Sequence, residues 1–169
     1  MGDVKIIDPY QMVDPISSIP ILQIAATNMQ RSRVRLILLV ATSGKGKTDV
    51  LRKYAAETGL PLLSVGLLIT KALQAGLQPE KLIPYLHQEL ESLGEVVLLD
   101  TIEVLFQPDL KLQVLELLKL LTKERTIIAA FPGRVIEGSL VYADASHPEY
   151  KVLSPYEIKD LVVLDLNGD

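Results

Sequence analysis

The stretch LILLVATSGKGKTDVL, Leu36 to Leu51, constrains the fold of this chain more than any other. Leu36 to Val40 is a continuous apolar run, as expected of a strand covered on both faces in a parallel sheet. A glycine loop follows directly. Beyond it, KTDVLRKYAAETG places Val50, Leu51, Tyr54 and Ala55 at helical spacing and stops at Gly59, a natural C-terminal cap. Strand, loop and helix thus come in the order that a phosphate-binding loop requires. Residues 41–48 read ATSGKGKT, the pattern G-x-x-x-x-G-K-[ST] with alanine in place of its first glycine.

The rest of the chain continues the alternation. Leu62 to Val65 reads as a strand and Leu67 to Ala75 as a helix; a further helix, opened by Pro79, carries Leu82, Ile83, Leu86, Leu90 and Leu93 along one face and ends at Gly94. EVVLLD is the next buried strand, terminating in Asp100. A leucine-rich helix is expected from about Leu110 to Thr122, then a strand at TIIAAF, Thr126 to Phe131. Strands alternating with helices imply right-handed crossovers and a mainly parallel sheet with helices on both faces. The expected class is α/β, a three-layer P-loop NTPase fold. Only 35 residues follow Arg134, and they begin with strand-like sequence, so the expectation is an AAA-like core without a helical lid domain. At 169 residues one domain fits best: an N-terminal helical appendage over 1–34 containing ILQIAATNMQR, a nucleotide-binding core over 35–135, and C-terminal strands at SLVYA and DLVVLDL within 136–169.

Phosphate loops work because their glycines let consecutive backbone N–H groups converge on oxygen atoms at the positive end of the following helix. On this reading Ser43, Gly44, Lys45, Gly46, Lys47 and Thr48 hold the phosphates; Lys47 reaches the β- and γ-phosphates and the Thr48 hydroxyl ligates Mg²⁺. What Ala41 does to the loop depends on whether its position needs a positive φ, which disfavours alanine. The competing reading is a chance glycine turn between a strand and a helix. Asp100 argues against it: an aspartate ending an apolar strand about fifty residues after the loop stands where such folds hold the carboxylate that positions Mg²⁺, the Walker B role.

Glu103, three residues on in DTIE, either orients the attacking water or faces solvent; in a helical turn it points to a similar side as Asp100. Hydrolysis also needs cationic stabilisation, and only Arg52, Arg125 and Arg134 follow the loop. Arg134, after AAFPG at the end of a strand, is the candidate γ-phosphate sensor, with an exposed turn residue as the alternative. Arg125, at that strand's other end, is better placed to reach a neighbouring subunit, or else has a surface role. The leucine-rich helix has more leucine than one stripe needs, so Leu112 and Leu115 are either buried within the fold or form an exposed partner surface.

Several classes drop out. With no cysteine, disulfides, thiol catalysis and cysteine-ligated zinc are excluded, and the only histidines, His87 and His147, lie far apart. A net charge of -4 gives no global attraction to nucleic acid or anionic membrane; Arg31, Arg33 and Arg35 read as a solvated turn, with direct DNA contact left open. No apolar run reaches the roughly 18 residues needed to span a bilayer, and the expected location is cytoplasmic, with no membrane partner. No N-K-x-D guanine-reading pattern appears, so ATP is the default nucleotide. A small kinase would clamp two phosphate groups with several arginines, and three is few.

GKGKT, LLDTIEVLFQPDL, IIAAFPG and LVYADASHPEY together span about Leu38 to Tyr150. In these segments the chain resembles the BrxF family, small P-loop proteins of type 3 bacteriophage-exclusion (BREX) systems. The resemblance implies an ATPase using ATP and Mg²⁺ beside larger defence proteins: a big AAA-type ATPase, a DNA methyltransferase, a phosphatase-like protein and a helicase. It places Lys47 and Thr48 on the Walker A positions and Asp100 with Glu103 on the acidic motif. A homo-oligomer is compatible with it, as is a nucleotide-binding module without turnover. Tyr142, His147 and Tyr150 are expected to cap and pack the C-terminal strands.

Overall fold

A computed structural model describes residues 10–12, 34–42, 46–143 and 149–167. The expected N-terminal helix, Arg31, Arg33, His147 and the loop residues Ser43, Gly44 and Lys45 lie outside the described residues. The strands, in chain order, are β1 Tyr10–Met12, β2 Leu36–Ala41, β3 Leu62–Ser64, β4 Val96–Asp100, β5 Thr126–Pro132, β6 Arg134–Ile136, β7 Ser139–Tyr142, β8 Lys151–Leu153 and β9 Val162–Asp165. The helices are α1 Lys47–Thr58, α2 Val65–Gln74, α3 Leu82–Glu91, α4 Val114–Leu121 and α5 Pro155–Ile158, with 3₁₀ turns at Pro79–Lys81, Ile102–Phe106 and Pro108–Leu110.

Six strands form a parallel sheet in the order β1-β9-β2-β5-β4-β3, and β6-β7-β8 make a small antiparallel sheet. The protein is therefore α/β, with a mainly parallel sheet flanked by helices. Strand alternation explains the unbroken apolar run in β2. Leu36, Leu38 and Val40 join Val97, Leu99, Ile127, Ala129 and Val163 beneath α2, α3 and α4. Ile37, Leu39 and Ala41 join Leu98, Ile128, Ala130 and Leu164 beneath Val50, Leu51 and Tyr54 of α1. Burying one leucine fully contributes about 1.5–3 kcal/mol, so a charge anywhere in this run would unsettle a whole face. No helix of the described residues is long and apolar enough to cross a membrane.

After β2 the chain crosses through α1 to the far edge at β3 and returns through β4 to β5, which lies between β4 and β2. It then visits the small sheet and re-enters on the other side of β2 as β9. Chain direction thus reverses around β2, the kind of switch point beyond whose carboxyl end α/β sheets bind ligands.

Two expectations, the start of the leucine-rich helix and the outward reach of Arg125, are corrected, and the alternative left open for Leu112 and Leu115 is decided for burial. The leucine-rich helix starts at Val114 rather than Leu110, because Pro108 opens a separate 3₁₀ turn and Lys111 takes a left-handed φ of 52°. Leu115 is buried and Leu112 packs partly buried on the core, so these two leucines form no exposed patch. Arg125 is 3% exposed and its Nη1 donates to the Leu121 carbonyl at 2.8 Å, closing the end of α4 instead of reaching outward.

Candidate functional site

The carboxyl ends of β2, β4 and β5 and the first turn of α1 share one edge of the sheet. Gly46 caps α1 with a left-handed φ of 89°, a conformation that a Cβ would penalise, and its carbonyl accepts from Val50 N at 2.9 Å. Lys47 and Thr48 then occupy the helix's first turn, where unpaired N–H groups and the macrodipole favour an anion. Ala41 needs no left-handed backbone. It is the last residue of β2, paired with Pro132 and fully buried, so the missing glycine costs no strain there.

Asp100 ends β4 on the same face as Leu98, the face that α1 covers, and is 6% exposed. Its Oδ1 accepts the Thr101 N–H at 2.8 Å. Thr101 takes a left-handed φ of 54°, which bends the chain into the 3₁₀ turn bearing Glu103. The Thr101 hydroxyl is fully engaged: it donates to the Asp100 carbonyl at 2.7 Å, accepts from Gly66 N at 2.9 Å and meets Ser64 Oγ at 2.8 Å. Ser64 also pairs with Asp100 in the sheet and caps α2, so three elements meet at this knot.

Lys47 and Asp100 both lie near enough to Glu103 for their charges to act on its carboxyl. Burial is the largest influence on Glu103 and pushes its carboxyl upward; the Lys47 ammonium opposes this, the Asp100 charge adds to it, and Glu103's own backbone N–H opposes it. The net direction is up, which suits a carboxyl that has to exchange a proton. Arg134 begins β6 immediately beyond this edge and is exposed, opposite Val141.

Two long-range contacts escaped the sequence, that of Tyr142 with Phe106 and that of Asn167 with Thr42 and Gly133. Tyr142 stacks on Phe106 of the Glu103 turn with ring centres 3.9 Å apart, Phe131 meets Phe106 edge-on at 5.6 Å, and the Tyr142 hydroxyl donates to Glu149 at 3.0 Å. Burial, the Glu149 hydrogen bond and the charges of Glu149 and Glu103 all push the Tyr142 hydroxyl upward, so it stays a neutral donor. Tyr142 therefore packs, though on the turn after β4 and not only among the C-terminal strands, whereas Tyr150 is 40% exposed. The second is that of Asn167, whose side chain bonds Thr42, Gly133 and Asp165. Nothing local in LDLNGD announces its reach, because two of its three partners lie 125 and 34 positions away.

No family model and no curated protein matches the chain. Among solved structures it is similar to that of C. elegans PCH-2, at 14% sequence identity and a TM-score of 0.50. The likeness covers 92% of this chain and 43% of that one, so the chain spans less than half of that protein. At this identity the similarity shows the fold alone.

Proposed function

We propose that the chain binds ATP with Mg²⁺ at this edge and serves as an ATPase subunit or switch of a BREX-type anti-phage complex, with activity completed or regulated by partners. The supporting observation is the left-handed Gly46 opening α1 with Lys47 and Thr48 in its first turn, at the sheet edge where Asp100 ends β4 on the face that α1 covers. The defence context and the partners rest on the sequence resemblance.

The donor set fits the ligand. Backbone N–H groups at a helix start and Lys47 suit phosphate oxygens, and the Thr48 hydroxyl with Asp100 suits a hard cation that takes the rest of its shell from phosphates and water. Among the described residues no three His, Cys, Asp or Glu side chains gather to hold a metal unaided, which accords with a cation carried by its nucleotide. When bound, Mg²⁺-ATP supplies the phosphoryl group and the metal's charge. Lys47 offsets negative charge, Thr101 keeps the Asp100 carboxylate oriented through its N–H, and Glu103 accepts the proton of an attacking water.

A non-hydrolysing interaction module is the second reading. Two observations favour it: Arg125 is committed to α4, and the residue directly after Asp100 is a threonine whose hydroxyl is already used. The test is calorimetry and phosphate release with Mg²⁺-ATP, for wild type and Lys47→Ala, alone and beside the candidate BREX partners. The expected result is binding that Lys47→Ala abolishes and turnover that appears with partners. Binding without turnover under both conditions leaves the module; no binding at all removes both readings.

A further inference from the structure

The peptide unit between Ala41 and Thr42 is gripped from both sides. Its carbonyl, on Ala41, accepts the Gly133 N–H at 3.2 Å, and its N–H, on Thr42, donates to Asn167 Oδ1 at 2.9 Å. The same Oδ1 accepts from Thr42 Oγ1 at 3.2 Å. On the other side of the amide, Asn167 Nδ2 donates to the Gly133 carbonyl at 3.1 Å and to Asp165 Oδ1 at 2.8 Å. An amide oxygen accepts two hydrogen bonds and its nitrogen donates two, so every capacity of Asn167 is used. Its partners also fix which way it faces: the Thr42 N–H can only donate, and the Gly133 carbonyl can only accept.

Asn167 is itself held at the end of β9. Its backbone N–H donates to Asp165 Oδ1 at 3.0 Å, and Leu166 N donates to the Val40 carbonyl at 2.7 Å. Gly133 has no room for a side chain, because a Cβ there would collide with the Val141 carbonyl. The ends of β2, β5 and β9 are thus locked through one side chain, at the residue where the chain leaves β2 for the phosphate-loop sequence.

From this we infer that Asn167 is a positioning residue for the nucleotide: by its grip on the Ala41–Thr42 peptide it presets the direction in which the chain enters the phosphate loop. The inference rests on the nucleotide reading above. Polar groups held before the ligand arrives need no ordering on binding, so the grip appears as affinity. It also joins the loop entry to Gly133, the residue before Arg134, in one rigid unit.

ATP affinity by calorimetry and thermal melting of wild type and Asn167→Ala in the full chain test the inference. The expected result is ATP binding weakened by about tenfold or more, equivalent to about 1.4 kcal/mol, with Thr42→Val, which keeps the gripped N–H, within about threefold of wild type, less than 1 kcal/mol. Equal ATP affinity in wild type and Asn167→Ala, with only the melting temperature lowered, overturns the inference alone. Absence of ATP binding in wild type overturns the nucleotide reading and this inference with it. If Asn167→Ala does not fold, hydrogen exchange at the Thr42 amide of wild type decides: slow exchange without ATP supports a preset loop entry, and exchange that slows only with ATP overturns it.

Discussion

Two strands of the central sheet end in nearly the same letters, VVLLD in β4 and VVLD in β9, and their aspartates stand in different surroundings. Both carboxylates are buried, at 6% and 7% exposure, and both accept a backbone N–H from just downstream. They part on which face they occupy. Asp100 follows Leu98 onto the side of α1, toward Lys47 and Glu103, while Asp165 follows Val163 onto the opposite side. Their neighbours differ too: Thr101 gives Asp100 a backbone N–H and turns its hydroxyl to Ser64 and Gly66, whereas Asn167 gives Asp165 both its N–H and its side chain. An apolar run ending in aspartate is therefore not a metal motif until the face and the following residue are known.

The comparison breaks most visibly in a Mg²⁺ titration of ATP binding. Asp100→Ala is expected to raise the Mg²⁺ midpoint by at least roughly 100-fold, the upper end of what partners one step removed from a metal achieve. Asp165→Ala is expected to leave that midpoint in place and to lower unfolding free energy by about 1–3 kcal/mol, because it strands the Asn167 donors. A midpoint shifted by Asp165→Ala and not by Asp100→Ala would reverse the two assignments.

Glu103 supplies a pH test confined to the β4 end. Its folded carboxyl is raised by burial, so protonation favours the fold: the stability it confers is fully present below the unfolded glutamate value and is lost as pH rises through the raised folded one. Glu103→Gln, which cannot ionise, is expected to gain on wild type in urea unfolding as pH climbs through that window. On the proposed function the same variant is expected to keep ATP binding and lose turnover, and wild-type turnover is expected to rise along a limb above the ordinary glutamate range. Unchanged hydrolysis in Glu103→Gln removes Glu103 from the chemistry.

Much of this edge was legible in the sequence because the relevant signals are local. The strand, glycine loop and helix of residues 36–59 follow from apolar run, spacing and caps, and Asp100 with Glu103 from three residues of separation. What escaped is what the fold brings together from afar. Asn167 reaches Thr42 only because β9 re-enters the sheet beside β2, and Tyr142 meets Phe106 only because the small sheet folds back. The misplaced start of α4 has a different cause: Leu110 and Leu112 keep apolar spacing across a left-handed Lys111, so periodicity alone ran through a break in the backbone. Sequence alone points Arg125 outward because arginine is seldom buried, yet the Leu121 carbonyl at the end of α4 gives it a partner inside.

The smallest expected effect sharpens the contrast between the two strand ends most directly. Beyond Asp100 the chain bends through the left-handed Thr101, a conformation costing a side-chain-bearing residue about 1–2 kcal/mol. Beyond Asp165 no described residue has a positive φ. Thr101→Ala removes the hydroxyl bonds to Gly66 and Ser64 and keeps the Cβ, whereas Thr101→Gly removes both. Both variants are expected to be less stable than wild type. Glycine should nonetheless be the better of the two by about 1 kcal/mol, since its greater freedom in the unfolded chain offsets part of the relieved strain. Denaturant unfolding of the pair measures the difference directly. If alanine equals or exceeds glycine, the bend after β4 is unstrained. If glycine leads, the bend after β4 is strained, and the β4 end is the one built under tension.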